Sequence, residues 1–229
     1  LQSHVWFRTR EEGWTDMEYY LRNWNNFCWL SGDHILDTHV HNIDIINWFV
    51  GRNPVSATGF GGRHRRLTGD QFDFFNVDFD FGDGFHSQSS SRQIDGCENG
   101  IGEMLMGSEG YTNCQNTIYN PDGTVKWKYE YPKNSDGVST EVVKISPYVQ
   151  EHIHLVTAIR NNTPVQEADQ TAISTLTAIM GRISAYTGKK TTWEQMMNST
   201  LKLGPEEYRL ENMNIEFPVP IPGTQHKST

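Results

Sequence analysis

The stretch FNVDFDF (residues 75–81) constrains the fold most. Phe75, Val77, Phe79 and Phe81 fall on one side of an extended chain, and Asn76, Asp78 and Asp80 on the other. That period of two belongs to a strand with one buried and one wet face. GDG (82–84) turns the chain, and FHSQSSSRQI (85–94) reads as the return strand. EMLMGSEGYTNC (103–114) predicts another hairpin, turning at Gly107 to Gly110. TVKWKYEY (124–131) alternates again after the NPDG turn, with Val125, Trp127, Tyr129 and Tyr131 on one face. The β pattern runs from Pro54 to about Ile145, and Leu1 to Arg10 alternates as a further strand.

Helical segments frame this stretch. TDMEYYLRNWNNFCWL carries Thr15 or Asp16 as cap, and SGD ends it. A helix is expected over about His34 to Val50, where Leu36, Val40, Ile43, Ile46 and Val50 form an apolar stripe and Gly51 closes the helix. His34, Asp37, His41 and Asp44 form a second, polar stripe at spacings of three and four. SPYVQEHIHLVTAIRNN starts with Ser146 as cap and Pro147 at the first helical position. Ile173, Leu176, Met180 and Ile183 mark the next helix, which Gly188 ends. Thr191 and Glu194 suggest a capping box in TTWEQMM. The Pro-rich tail FPVPIPGTQHKST reads as extended. The order of elements predicts an α+β fold in which helices pack on one face of an open mixed or antiparallel sheet.

The 229 residues carry 19 Lys+Arg against 28 Asp+Glu, a net charge of −9. That balance disfavours nucleic acid or an anionic membrane as partner, since either attracts a basic face. The short basic run GGRHRRL (61–67) reads as a solvated loop. Cys28, Cys97 and Cys114 make neither a disulfide framework nor a CxxC knuckle. No apolar run approaches the ~20 residues that span a bilayer. The opening LQSHVWFRTR holds no signal peptide and no initiator Met, and is expected to continue from upstream sequence.

The chemistry concentrates in DTHVH (37–41). Two histidines two apart with a carboxylate resemble the Asp-x-His-x-His signature of the metal-dependent amidohydrolases, and His152 and His154 offer a second pair. Three things oppose a metal centre. The segment has helical period, and residues i and i+2 of a helix do not converge on one ion. The long β stretch lacks the strand–helix alternation of a (β/α)8 barrel, and 229 residues is short for one. The helical reading instead puts Asp37 and His41 at i and i+4, where their side chains can meet. A neutral imidazole can accept a proton, and a carboxylate one turn away can orient it or hold a substrate hydroxyl. The same residues also fit a polar helix face with a structural His–Asp bond.

SGDHILDTHVHNIDIINWFVGRNP (31–54) resembles the Gfo/Idh/MocA oxidoreductases, whose substrate-binding domain begins with a Gly-rich entry and an Asp-x-Gly-x-His-x-x-Asp helix. Asp37, His41 and Asp44 match its Asp, His and Asp. His39 stands where many members have Gly, and His is usual there in one bacterial subgroup. RNWNNFCWLSGDHI, SRQIDGC, SPYVQEHIHLVTAIRNNTPVQEA and STLTAIMGRISAYTGKKTTWEQ are similar to the same subgroup, so the likeness spans about Leu1 to Ser199.

The resemblance implies the C-terminal half of a two-domain enzyme. Residues 1–205 would form its dihydrodipicolinate/glyceraldehyde-3-phosphate dehydrogenase-like substrate-binding domain, with 206–229 as an extended tail. An N-terminal Rossmann domain, absent from these residues, would bind NAD or NADP. By the same resemblance His41 is the acid/base for a hydroxyl of a sugar, polyol or glycoside, and Asp37 contacts the substrate or His41. No cofactor-binding residue is expected in this chain: the glycines of GFGGR (59–63) and NGIGEML (99–105) are not followed by a helix, as a phosphate cradle requires. The fragment alone is then expected to be inactive.

His39, Arg92, Gln93, Arg22, Asn23, Asp44 and His152 are further candidates for the substrate site. Each also has a plain reading as a solvated or structural side chain. An NAD-dependent glycosidase, a non-catalytic carbohydrate-binding module and the amidohydrolase are the alternatives. Self-association through the open sheet face is expected, in the cytoplasm or periplasm of a bacterium.

Overall fold

The structure, a computed structural model, describes residues 6–133, 135–137, 146–213 and 216–224. The chain forms two compact units, one of Leu1–Asn99 with Asp169–Thr229 and the other of Gly100–Ala168. The fold is α+β, and all strand pairings among the described residues are antiparallel.

The first unit begins with helix α1 (Asp16–Arg22), capped by Thr15 in a capping box with Glu18. A 3-10 turn (Trp24–Asn26) and the short α2 (Cys28–Ser31) follow. The expected continuous helix breaks at Asn23 because the buried Asn23 and Asn26 bind the incoming chain. Asn23 Oδ1 accepts from the Arg8 N–H at 2.6 Å, and Asn26 Nδ2 donates to the Trp6 carbonyl at 3.0 Å. Asn side chains that satisfy backbone groups compete with helix continuation. The expected opening strand is also absent where the chain is described: residues 6–10 form no strand, and the rest of that segment lies outside the described residues.

Strands β1 (Ser56–Gly62), β2 (Phe74–Asp80), β3 (His86–Arg92) and β8 (Thr191–Thr192) form one sheet in the order β3-β2-β1-β8. Phe75, Val77, Phe79 and Phe81 are buried as the alternation requires, together with Ile35, Ile43, Ala178, Met180 and Met196. Leu36, Val40, Ile46 and Val50 pack against this core, so the apolar stripe holds. Helix α6 (Ala168–Thr187) lies directly on β1. A Cβ on Gly59 would sit 2.8 Å from the Ala185 nitrogen, and one on Gly181 would sit 2.8 Å from the Phe79 ring. The glycines of GFGGR therefore serve strand–helix contact and pairing within a sheet. The final capping box sits one residue beyond its expected place: Thr192 and Gln195 cap α7 (Trp193–Met197), while Thr191 pairs with Ala57 in the sheet.

The second unit holds β4 (Leu105–Gly107), β5 (Gly110–Thr112), β6 (Thr117–Tyr119) and β7 (Val125–Lys128) in sequential order, and helix α5 (Pro147–Asn161). Among the described residues, the long β stretch thus supplies three strands of one four-stranded sheet and all four of the other. The part of that stretch at 138–145 lies outside the described residues. Among the described residues of this unit only Thr117 is buried.

Candidate active site

The segment Ser31–Val50 folds as two helices, α3 (His34–Asp37) and α4 (Val40–Val50). Thr38 leaves helical geometry with φ −121°, and the His39 N–H reaches back five residues to the His34 carbonyl at 3.0 Å. This break rearranges the polar side chains. The expected stripe of His34, Asp37, His41 and Asp44 does not form, and His34 and His39 instead reach the same strand.

Both imidazoles meet β3. Ser91 pairs across the sheet with Phe75, and Ser89 with Val77, so these small residues share the core face of β2 and leave room above them. His34 Nε2 lies 3.2 Å from Ser91 Oγ, and His39 Nε2 lies 2.9 Å from Ser89 Oγ. The His34 ring packs on Phe75 with centroids 5.0 Å apart. Burial pushes the His39 pKa down to about 4, with the nearby His34 adding to it, so His39 is neutral at physiological pH.

Asp33 anchors this arrangement. It is fully buried at the N-cap of α3, with φ at +73°. Its Oδ1 accepts from the His34 N–H at 2.6 Å and from His34 Nδ1 at 3.1 Å. Its Oδ2 accepts from the Phe72 N–H at 2.9 Å and the Tyr186 hydroxyl at 2.5 Å. Burial works to raise the Asp33 pKa, but the His34, Tyr186 and Phe72 donors outweigh it and hold the carboxyl below its ordinary range. Burial pushes Tyr186 well above the usual phenol value, so it remains a donor. Arg182 donates to the Gly32 carbonyl at 3.0 Å and so ties α6 to the same turn. Asp70 accepts from the Cys28 N–H at 2.7 Å, and burial raises its pKa to about 6.

Asp37 and His41 lie on either side of the break and are both exposed. Among the described residues neither side chain has a hydrogen-bond partner, and they do not bond to each other. The expected i, i+4 contact is lost with the helix continuity. What results is an imidazole and a carboxylate presented to solvent from a segment held from below by Asp33, His34 and His39.

The other candidates are placed differently. Asp44 accepts from Ser174 Oγ at 2.6 Å and Gln170 Nε2 at 3.2 Å, which fixes α4 to α6. Gln93 Oε1 accepts from Arg66 at 2.6 Å. Arg92 is exposed and donates to the Glu98 carbonyl at 2.6 Å. Arg22 lies over the Trp14 ring at 4.5 Å, and Asn23 holds the backbone of Arg8. His152 is exposed on α5 of the second unit and donates to the Tyr148 carbonyl at 2.6 Å. Sequence reasoning missed Asp33, Tyr186 and the serines. The available signal was SQSSS, where serines occupy core-facing positions opposite Phe and Val.

No three His, Cys, Asp or Glu side chains gather into a metal-ligand set among the described residues. The Gly59, Gly61 and Gly62 run is inside β1, and Gly100 and Gly102 precede a strand. No described helix is long and apolar enough to cross a membrane.

No protein-family model and no curated protein matches the sequence. Solved structures do. An oxidoreductase from Thermotoga maritima matches with a TM-score of 0.56 at 14% identity, over 82% of this chain and 51% of that one. GenD2 from gentamicin A biosynthesis, in complex with NAD, matches with a TM-score of 0.52 at 20% identity, over 74% and 50%. The WlbA dehydrogenase from Bordetella pertussis, in complex with NADH and UDP-GlcNAcA, matches with a TM-score of 0.51 at 14% identity, over 78% and 51%. The likeness is one of fold, and the chain spans about half the length of these structures.

Proposed function

We propose that this chain is the substrate-binding and catalytic half of a Gfo/Idh/MocA-type NAD(P)-dependent oxidoreductase acting on a hydroxyl of a sugar, polyol or glycoside. The observation that carries the reading is the exposed Asp37–His41 pair on a rigidly anchored segment, in a fold shared with half of several dehydrogenase chains. GenD2 and WlbA were solved with NAD and NADH, and WlbA also with a nucleotide sugar acid. The nicotinamide, held outside the residues described, would supply the hydride acceptor. His41 takes the hydroxyl proton, and Asp37 holds a neighbouring hydroxyl. The His34 and His39 bonds to β3, with Asp33 beneath, keep the backbone of the 37–41 turn in place, as a positioned base requires. In this reading Asp44 and Asn23 act through the backbone they fix, and a small-molecule carbohydrate is the partner.

The test uses the full-length protein with NAD or NADP and a panel of polyols, aldoses and glycosides, read by absorbance of the reduced nicotinamide. His41→Ala is expected to lower kcat by about 10²–10⁴-fold, the usual contribution of general base catalysis. Turnover unaffected by His41→Ala would overturn the assignment. Release of an aglycone without net reduced nicotinamide would redirect it to a glycosidase.

A further inference from the structure

The second unit carries a feature that the oxidoreductase reading does not use. Trp127, Tyr129 and Tyr131 stand at alternate positions along β7 and its continuation, so their rings project from one side of the chain. The Tyr129 N–H still pairs with the Asn116 carbonyl at 2.8 Å, which keeps the segment extended beyond β7. Trp127 and Tyr129 are 48% and 44% exposed, a large solvent cost for two rings unless something covers them. Their centroids lie 6.4 Å apart, and those of Tyr129 and Tyr131 lie 5.0 Å apart at 82°. Tyr131 packs edge-to-face on Tyr129, and the three rings together make a stepped wall.

That wall borders an open groove of about 720 Å³ whose remaining lining is Gln115, Asn116, Thr117 and Lys128. Asn116 is pinned by two side chains: its Nδ2 donates to the Tyr131 hydroxyl at 3.5 Å, and its Oδ1 accepts from Thr117 Oγ at 3.3 Å. Gln115 is exposed, and among the described residues its amide has no protein partner. Thr117 is buried and forms the floor. Aromatic faces beside amides and hydroxyls match a ligand with alternating C–H faces and hydroxyl edges.

Charge separates the ligand classes. A base-stacking platform for single-stranded nucleic acid needs a basic track along the backbone. Here Lys128 is the only charged residue lining the groove among the described residues, in a chain of net charge −9. A neutral ligand fits that setting.

We propose that the groove along Trp127, Tyr129 and Tyr131 is a binding site for a neutral oligosaccharide, with the rings stacking on pyranose faces and Gln115 and Asn116 bonding hydroxyls. This site stands on the second unit alone and does not depend on the oxidoreductase reading.

The experiment titrates the full-length protein, with tryptophan replaced by 5-fluorotryptophan, with xylohexaose, cellohexaose and maltohexaose. It is read by fluorine NMR, with the Trp127 resonance assigned from Trp127→Phe. At least one oligosaccharide is expected to shift the Trp127 signal. Trp127→Ala should weaken that binding by about tenfold or more, judged by calorimetry, as loss of a stacking ring does. Gln115→Ala should weaken it by a smaller factor, and gives an independent reading should Trp127→Ala fail to fold. His41→Ala should leave it unchanged while abolishing turnover, so this site and the proposed active site fail separately. If all three oligosaccharides leave the Trp127 signal unmoved, or bind equally well to Gln115→Ala and Trp127→Ala, the proposal is overturned. Displacement of the Trp127 signal by oligothymidylate but by no saccharide would overturn it in favour of nucleic acid.

Discussion

The two units spend their aromatic side chains differently. In the first, Phe72, Phe75, Phe79 and Phe81 are buried, the first three against α6, and Asp33 bonds Phe72, His34 and Tyr186 beside them. In the second, no apolar side chain among the described residues is buried, and the helix α5 buries none of its residues. The same alternation rule wrote both sheets. FNVDFDF found a helix to cover it within its own unit, whereas VKWKYEY presents its rings to whatever lies outside. Apolar alternation thus marks a face that will be covered, without saying by what.

Truncating one side chain in each unit gives the largest test of this contrast. Phe79→Ala is expected to cost about 3–5 kcal/mol, because a buried ring leaves both a transfer loss and a cavity. Leu155→Ala, at a position 52% exposed on α5, is expected to change stability by roughly 0.5 kcal/mol or less. Urea unfolding of both variants checks this, and equal costs would show that the second unit is packed as tightly as the first.

Acid should act on the first unit through His39. Its pKa falls from the ordinary 6.5 to about 4 on folding, so the unfolded chain binds the extra proton between those values. The stability gained by keeping His39 neutral is whole above about pH 6.5 and is lost as pH falls toward 4, on the order of 3 kcal/mol in all. Comparing urea midpoints of His39→Gln and the parent from pH 7.5 to 4.5 should show a parent that loses ground to the variant with acid. Parallel curves would place His39 in water rather than over Ser89.

Asp70 has the opposite sign and a smaller effect. Its carboxyl pKa rises from 3.8 to about 6 on folding, so its contribution is whole below about 3.8 and is lost as pH rises through 6. Asp70→Asn keeps an acceptor for the Cys28 N–H and removes the buried charge. It should stabilise the protein at pH 7.5 by about 1–3 kcal/mol and leave it unchanged at pH 4. Thermal melts at the two pH values decide this, and a loss at pH 7.5 would mean that the charge is paired.

Much of the first unit was legible in one dimension. Period two located β2 and β3, the apolar stripe placed Leu36 to Val50 against the core, and Gly51 and Gly188 closed their helices. DTHVH was legible as the candidate site, but its geometry was not. The helix reading assumed that intrinsic period continues through Thr38 and made one stripe of His34, Asp37, His41 and Asp44. Two serines on a neighbouring strand and a carboxylate buried under Tyr186 offer stronger local bonds than one more helical turn, and the helix breaks to meet them.

The sequence by itself determined the α+β class, the alternating strands β2 and β3 and the residues able to move a proton, because side-chain period and chemistry are local properties. Only the tertiary structure decided which polar residues face solvent and which are locked. Asn23 is a polar amide, and Asp44 and His39 carry the same side-chain chemistry as Asp37 and His41. They are committed to Arg8, Ser174 and Ser89, partners 15, 130 and 50 residues away in the chain. Contacts at that separation have no signature in the spacing of the residues that make them.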